Sequence, residues 1–374
     1  MSFLRKQESR DPRFRGDDIG KPACTYKTMG FEKLLDRKKL IVVCGLGGVG
    51  KTTLSAALAL KAAQAGRKSL VITVDPARRL AATLGIKNTA PEPKKVWEGK
   101  GELYAALLDA KETFDRLITD HAPENLKEAI LANPLYQKLS MMLAGTQEYM
   151  AMEKLFSLAN ENRFDIIIVD TPPARHAIDF LEAPIKMSNM LNDSILKVLI
   201  APSLKIGGLG GRMMAALGQM TGGGILGDIG ELLSLSIGLL DGFTRRSQDI
   251  QALLKGKKSA FVLAASANTA TASDALHFRQ QLGSLGYSLE GLLINRMPLP
   301  AAKLDKEVLK WAAQQPDKIW NFAVRLAEEQ RILENRIQKK LKPLVKQTPH
   351  SSFIPETPEG ISNFEDLKKL TRFI

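Results

Sequence analysis

With 374 residues and a formal net charge of +13, the chain can fill one large α/β domain with insertions, and its charge alone would suit a polyanionic partner. The basic residues are spread along the sequence, aromatic residues make up 6%, and no nucleic-acid-binding signature interleaves with them, so no nucleic acid is expected as a partner. Two cysteines and four histidines without ligand spacing exclude a disulfide framework and a soft-metal site; no apolar run approaches the roughly 18 residues of a membrane span, so a cytoplasmic protein that is not an integral membrane protein is expected.

Residues 1–28 mix Arg, Asp, Gly and Pro without periodicity and read as a disordered extension, with Met29 as a candidate natural start. Residues 29–374 read as one domain. From Leu40 short apolar runs alternate with longer helical ones, which predicts a doubly wound, mostly parallel sheet. The strands are expected at 40–44, 69–74, 103–108, 165–169, 259–265, 289–295 and 351–354, most of them near-continuously apolar, as strands covered on both faces should be. A helix from Thr52 to Ala65 is stopped by Gly66, and a helical region over 110–160 is broken at Pro123 and Pro134. Residues 185–256 form an inserted helical subdomain: sparse in charge, rich in Met, with glycines at 207–211 and 222–224 between the helical pieces SILKVLI, RMMAALGQM and IGELLSLSIGLLDGF. A second helical segment over 301–346, rich in both signs of charge, reads as an exposed amphipathic pair.

The chemistry is concentrated where the first apolar run, Leu40 to Cys44, breaks into Gly45-Leu46-Gly47-Gly48-Val49-Gly50-Lys51-Thr52-Thr53. This is the spacing of a phosphate-binding loop between a strand and a helix. Gly45, Gly47, Gly48 and Gly50 permit positive φ and remove side chains, so that backbone N–H groups, Val49 and Thr53 included, can converge on phosphate oxygens. Lys51 supplies charge at the β- and γ-phosphates, the Thr52 hydroxyl can ligate Mg²⁺, and the helix N-terminus favours an anion. Asp75 ends the next apolar run, at the sheet edge where ligands bind; it either orients a water or acts through Mg²⁺, or it caps a helix that starts at Pro76. The run Phe164 to Val169 ends in Asp170, which describes a carboxylate that holds Mg²⁺ beside the loop threonine. The following Thr171-Pro172-Pro173-Ala174-Arg175-His176 suits a loop that senses the γ-phosphate, and His176 is given no catalytic part.

The segments GLGGVGKTT, VDPARRLA and FDIIIVDTPPARHAIDFLEAP resemble the arsenite-pump ATPase (ArsA) family, which includes the targeting ATPase for tail-anchored membrane proteins. The similarity runs from about Lys39 onward and takes in AGTQEYMAMEKL, Leu292 to Asn295, and Ile354-Pro355-Glu356. The resemblance implies a P-loop NTPase fold and a Mg²⁺- and ATP-dependent homodimer that closes around nucleotide. It further implies that Asp75 positions the hydrolytic water, Lys51 binds phosphate, Asp170 serves the metal, Asn295 reads the adenine edge and Pro355 lies against the base. Two features depart from the family. Leu46 stands where relatives carry a lysine that reaches the partner's phosphates, which leaves slow hydrolysis, looser coupling, or a substitute among Arg78, Arg79 and Arg175. The thiolates of arsenite pumps, the Cys-x-x-Cys zinc pair of targeting ATPases and a second phosphate loop are also missing.

Two functions are expected from these readings. One is an ATP-driven open/closed switch around an apolar client helix, for which the Met-rich 185–245 region would form the groove, unless those methionines only fill a core. The other is the energy-coupling subunit of an anion-efflux system docked on a membrane permease. A DNA- or membrane-partitioning ATPase fits less well.

Overall fold

The computed structural model describes residues 30–74, 79–84, 92–121, 127–132, 147–172, 174–192, 244–267, 269–298, 318–357, 360–361 and 363–374. In chain order these form α1 (Glu32–Arg37), β1 (Leu40–Gly45), α2 (Lys51–Gln64), β2 (Lys68–Thr73), α3 (Arg79–Leu84), β3 (Lys94–Glu98) and β4 (Glu102–Leu107). Then come α4 (Ala110–His121), α5 (Lys127–Ala132), α6 (Gln147–Asn160), β5 (Ile166–Asp170), α7 (Ala174–Asn192) and α8 (244–255). The remainder is β6 (Ser259–Ser266), α9 (Thr269–Ser284), β7 (Leu289–Met297), α10 (Lys318–Lys346), β8 (His350–Pro355), α11 (Phe364–Leu370) and a 3₁₀ turn, Thr371–Phe373.

Among the described residues the strands make one eight-stranded sheet in the order β3-β4-β2-β5-β1-β6-β7-β8. Every neighbouring pair is parallel except β3 with β4. The expected α/β, mostly parallel architecture is therefore present. Both faces are covered. Alternate residues of β1 show why its sequence is apolar throughout: Leu40, Val42 and Cys44 enter the core under α6 to α10, while Ile41 and Val43 enter the core under α1, α2, α3 and α11.

The seven anticipated strands occur within a residue or two of their expected limits. β3 was not anticipated. Its sequence, KKVWE, is charged because it is an edge strand, exposed or half-exposed along its whole length. α2 ends as expected at Gly66, whose φ of 103° closes a Schellman turn: Gly66 N donates to Ala63 O at 3.0 Å and Arg67 N to Ala62 O at 3.1 Å. Residues 110–160 contain α4, α5 and α6, with both prolines outside the described residues.

Of the Met-rich insertion, residues 185–192 are the end of α7, which runs on through Pro184, and 244–255 form α8; the three expected helical pieces between them lie outside the described residues. Residues 318–346 are a single 29-residue helix, roughly 43 Å long at 1.5 Å per residue. The C-terminal part of α10 packs through Ile337, Leu341 and Leu344, whereas Phe322, Leu326, Ile332 and Leu333 ahead of them are exposed. The rest of the 301–346 segment, residues 301–317, and the extension 1–28 lie outside the described residues.

One close approach locks α1 to the sheet. A Cβ on Gly291 would meet Phe31 Cε1 at 2.7 Å and Val262 Cγ2 at 2.8 Å. Gly291→Ala is therefore expected to overpack this layer and cost about 1–3 kcal/mol, read as a lower urea midpoint with an unchanged slope.

Candidate functional site

The carboxyl edge of β1 positions the site. β1 lies between β5 and β6, with Val43 level with Asp170 and Gly45 level with Ala264, so the chain leaves the middle of the sheet as it enters the glycine loop. The loop conformation needs its glycines. Gly48 and Gly50 have φ of 77° and 89°, and a Cβ on Gly50 would meet Asn295 Nδ2 at 2.6 Å, whereas a Cβ on Gly48 would meet nothing within 4 Å. Gly47 and Gly48 are exposed, Val49 is buried as the anchor of the loop, and Gly50 is the residue before α2. The result is an open cradle at a helix N-terminus, the setting that binds phosphate.

Lys51 is the first residue of α2 and is buried; its Nζ donates to Leu46 O at 3.1 Å, across the turn of the loop. Thr52 and Thr53, next on the helix, are half-buried. Asp170 is buried at the end of β5, where its Oδ2 accepts from Thr73 Oγ1 at 3.0 Å. The Thr171 hydroxyl donates to Val43 O at 2.9 Å, fixing the start of the following loop against β1. Cys44 lies under these groups. Burial pushes its thiol up to about 12, the Thr171 side chain and the Lys51 charge oppose that shift, and Asp170 adds to it. Lys51, Asp170 and Thr171 thus act on one buried sulfur at the head of the loop, and that sulfur remains a protonated, inert thiol.

A cavity of about 390 Å³ adjoins the start of α2 and is lined by Gly50, Thr53, Asn295, Arg296, Pro355, Glu356 and neighbouring residues. Asn295 and Pro355 come from the carboxyl ends of β7 and β8, so strand order brings both beside the loop. Asn295 also pins the loop: its Nδ2 donates to Val49 O at 2.9 Å. Arg296 and Glu356 are cavity residues that the sequence reading did not single out. Each directly follows a flagged residue at a strand end, which is the signal that could have found them. The left-handed backbone of Arg296, φ 55°, has no signature in its residue type.

The structure therefore brings together Gly45, Gly47, Gly48, Val49, Gly50, Lys51, Thr52, Thr53, Asp170, Asn295 and Pro355. Asp75 and Arg78 lie outside the described residues; Arg79 and Arg175 are placed in α3 and α7 by their backbones alone. The donor set fits a magnesium nucleotide: a hydroxyl on Thr52 and a carboxylate on Asp170 are hard oxygen ligands, and the loop above Gly48 is open. Among the described residues no group of three or more His, Cys, Asp or Glu could hold a metal by itself, and no helix is long and apolar enough to cross a membrane.

A family model described as anion-transporting ATPase matches residues 38–323. An ATPase ASNA1 homolog from Babesia bovis is 33% identical over 169 residues, 45% of this chain and 45% of that protein. ATPase GET3 from Podospora anserina is 29% identical over 205 residues, covering 54% and 58%, and ATPase GET3 from Rhodotorula glutinis is 30% identical over 199 residues, covering 52% and 53%. The chain spans about half the length of these curated relatives. A family match that takes in the loop, Asp170 and Asn295, on a doubly wound sheet with the loop at its carboxyl edge, settles the kinship: the chain belongs to the anion-transporting ATPase (ArsA) family.

Proposed function

We propose that the chain binds ATP with Mg²⁺ at the Gly45–Thr53 loop and hydrolyses it, the nucleotide cycle opening and closing a cytosolic homodimer around an apolar, membrane-protein-like client. The observation that carries the reading is Lys51. A buried ammonium whose Nζ rests on the Leu46 carbonyl sits over an open glycine cradle, ready to exchange that carbonyl for phosphate oxygens. Backbone N–H groups from Gly47 to Lys51 would donate to the same oxygens. The Thr52 hydroxyl and the Asp170 carboxylate would hold Mg²⁺, which supplies neutralisation of phosphate charge. Asp170 is kept in place by the Thr73 hydroxyl. Asp75 would orient the attacking water and accept its hydrogen bond. Asn295 and Pro355, at the mouth of the 390 Å³ cavity, would hold the adenine. The client is argued from the sparse charge and the methionines of residues 185–245, since thioether side chains repack against varied apolar partners.

The test is phosphate release by the full chain with Mg²⁺-ATP, with and without arsenite, alongside molar mass by light scattering. Turnover lost in Asp75→Asn, in a dimer indifferent to arsenite, is the expected result. Stimulation by arsenite would favour the anion-efflux reading, and no turnover under any condition would sink the ATPase.

A further inference from the structure

The edge of the sheet opposite the loop gathers cations that lie far apart in the sequence. Lys39 leads into β1, Lys255, Lys257 and Lys258 lead into β6, Arg37 closes α1, and Lys346 closes α10 ahead of β8. Backbone bonds knit the entries together. Lys39 N and Leu40 N both donate to Lys258 O, at 2.8 and 3.2 Å, and the buried Lys38 reaches across to Lys257 O and Ser259 O at 3.0 and 3.1 Å. All six side chains are exposed.

None of the six forms an ion pair with a described residue. Lys39 Nζ donates to the neutral Asn162 Oδ1 at 3.3 Å, and Lys255 lies over the buried Tyr287 ring at 5.8 Å. The carboxylates of this edge mostly face other cations: Glu290 pairs with Lys38 at 2.5 Å, Glu161 with Arg163 at 3.3 Å, and Asp165, which accepts from the backbone N–H of Lys68 at 2.7 Å, acts on the Arg67 guanidinium. Asp36 is the exposed exception. The fold gains nothing from an uncompensated row of like charges, which repel one another.

The surroundings decide what such a row would meet. Among the described residues the exposed large apolar side chains are Phe322, Leu326, Ile332 and Leu333, all on α10. Among its described residues the cation edge therefore offers a protein partner no apolar anchor and offers nucleotide bases no exposed ring to stack on. Lysine, a compact, strongly hydrated point charge, suits a surface recognised by its charge density and not by a planar fork. We infer that this edge docks the protein reversibly on an anionic lipid bilayer, with Lys39, Lys257 and Lys258 at the centre of the contact and the nucleotide edge facing away.

The experiment is co-sedimentation of the full chain, without nucleotide, with phosphatidylserine–phosphatidylcholine vesicles and with phosphatidylcholine vesicles alone. The need for no nucleotide separates its outcome from that of the ATPase. Binding to the charged vesicles only, released by raised salt, is expected. Lys39→Gln/Lys257→Gln/Lys258→Gln should weaken it roughly 100-fold, taking about fivefold per lysine near a charged surface. Lys255→Gln/Lys346→Gln should weaken it roughly 20-fold on the same scale, which keeps the test alive should the triple variant fail to fold. Arg325→Gln/Arg331→Gln/Arg336→Gln on α10 removes the same net charge elsewhere and should leave binding nearly intact. Indifference of the native chain to phosphatidylserine, equal losses in the two triple variants, or tighter capture of duplex DNA than of vesicles would overturn the inference.

Discussion

Lys51→Ala is expected to cut ATP turnover by roughly 10²–10³-fold, the usual cost of removing one preorganised group from developing phosphoryl charge. The side chain is buried at the first position of α2, so its charge acts in a medium of low dielectric instead of in bulk water. Its bond to the Leu46 carbonyl closes the loop on itself, and that carbonyl is what phosphate would replace. Lys51→Met keeps most of the volume and removes only the charge. If Lys51→Met loses turnover as Lys51→Ala does, with an unchanged melting temperature, charge and not packing is responsible. Phosphate release and calorimetric titration with ATP would read chemistry and binding separately; turnover preserved in both variants would remove Lys51 from the machinery.

The second large effect is on stability. Glu153→Ala is expected to cost about 3–5 kcal/mol, because it removes the acceptor at the centre of a buried polar cluster between α6 and α8. Glu153 Oε1 accepts from Arg246 Nε at 3.0 Å and from the Tyr149 hydroxyl, and Ser247 Oγ donates to that hydroxyl at 3.4 Å. Burial and the adjacent Glu153 carboxylate push the Tyr149 phenol well up, so it stays a proton donor throughout the working pH range. Truncating the carboxylate leaves a buried phenol and a largely buried guanidinium without it. Glu153→Met/Arg246→Met should recover much of the loss, since apolar side chains of similar volume often replace a buried ion pair without penalty. Urea midpoints of the two variants are the measurement; a midpoint within experimental error of the native chain for Glu153→Ala would show that the cluster contributes nothing.

What the sequence disclosed followed from which residues are locally constrained. β1 and β5 are legible because strands at the centre of a covered sheet must be apolar up to the carboxyl edge, where β5 ends in Asp170, and the glycine loop is legible because left-handed backbone at Gly48 and Gly50 demands glycine. β3 is not, because an edge strand half in solvent obeys no such demand, and Lys94, Lys95 and Glu98 look like any surface loop. Asn295 and Pro355 were reached through kinship and not through local pattern; nothing within either segment says that β7 and β8 would end beside a loop some 250 and 300 residues earlier. The cation edge escaped for the same reason. Lys39, Lys258 and Lys346 are dispersed in sequence, and only strand order brings them to one edge of the sheet, Lys39 and Lys258 side by side.

Strand order also bears on how the protein is born. β1 is among the first strands to be made, yet it pairs with β5 and β6 and with nothing closer in sequence. About 130 residues separate Leu40 from its partner Ile167; at a ribosomal pace of roughly 5–20 residues per second the strand waits on the order of 6 to 25 seconds for its first neighbour. During that interval α2 can pack only on the β2–β4 part of the sheet, and Leu40 to Cys44 have no strand beside them. The glycine loop therefore acquires its shape only after β5 has been made, and chaperone occupancy on stalled ribosomes should persist until β5 emerges and fall sharply thereafter.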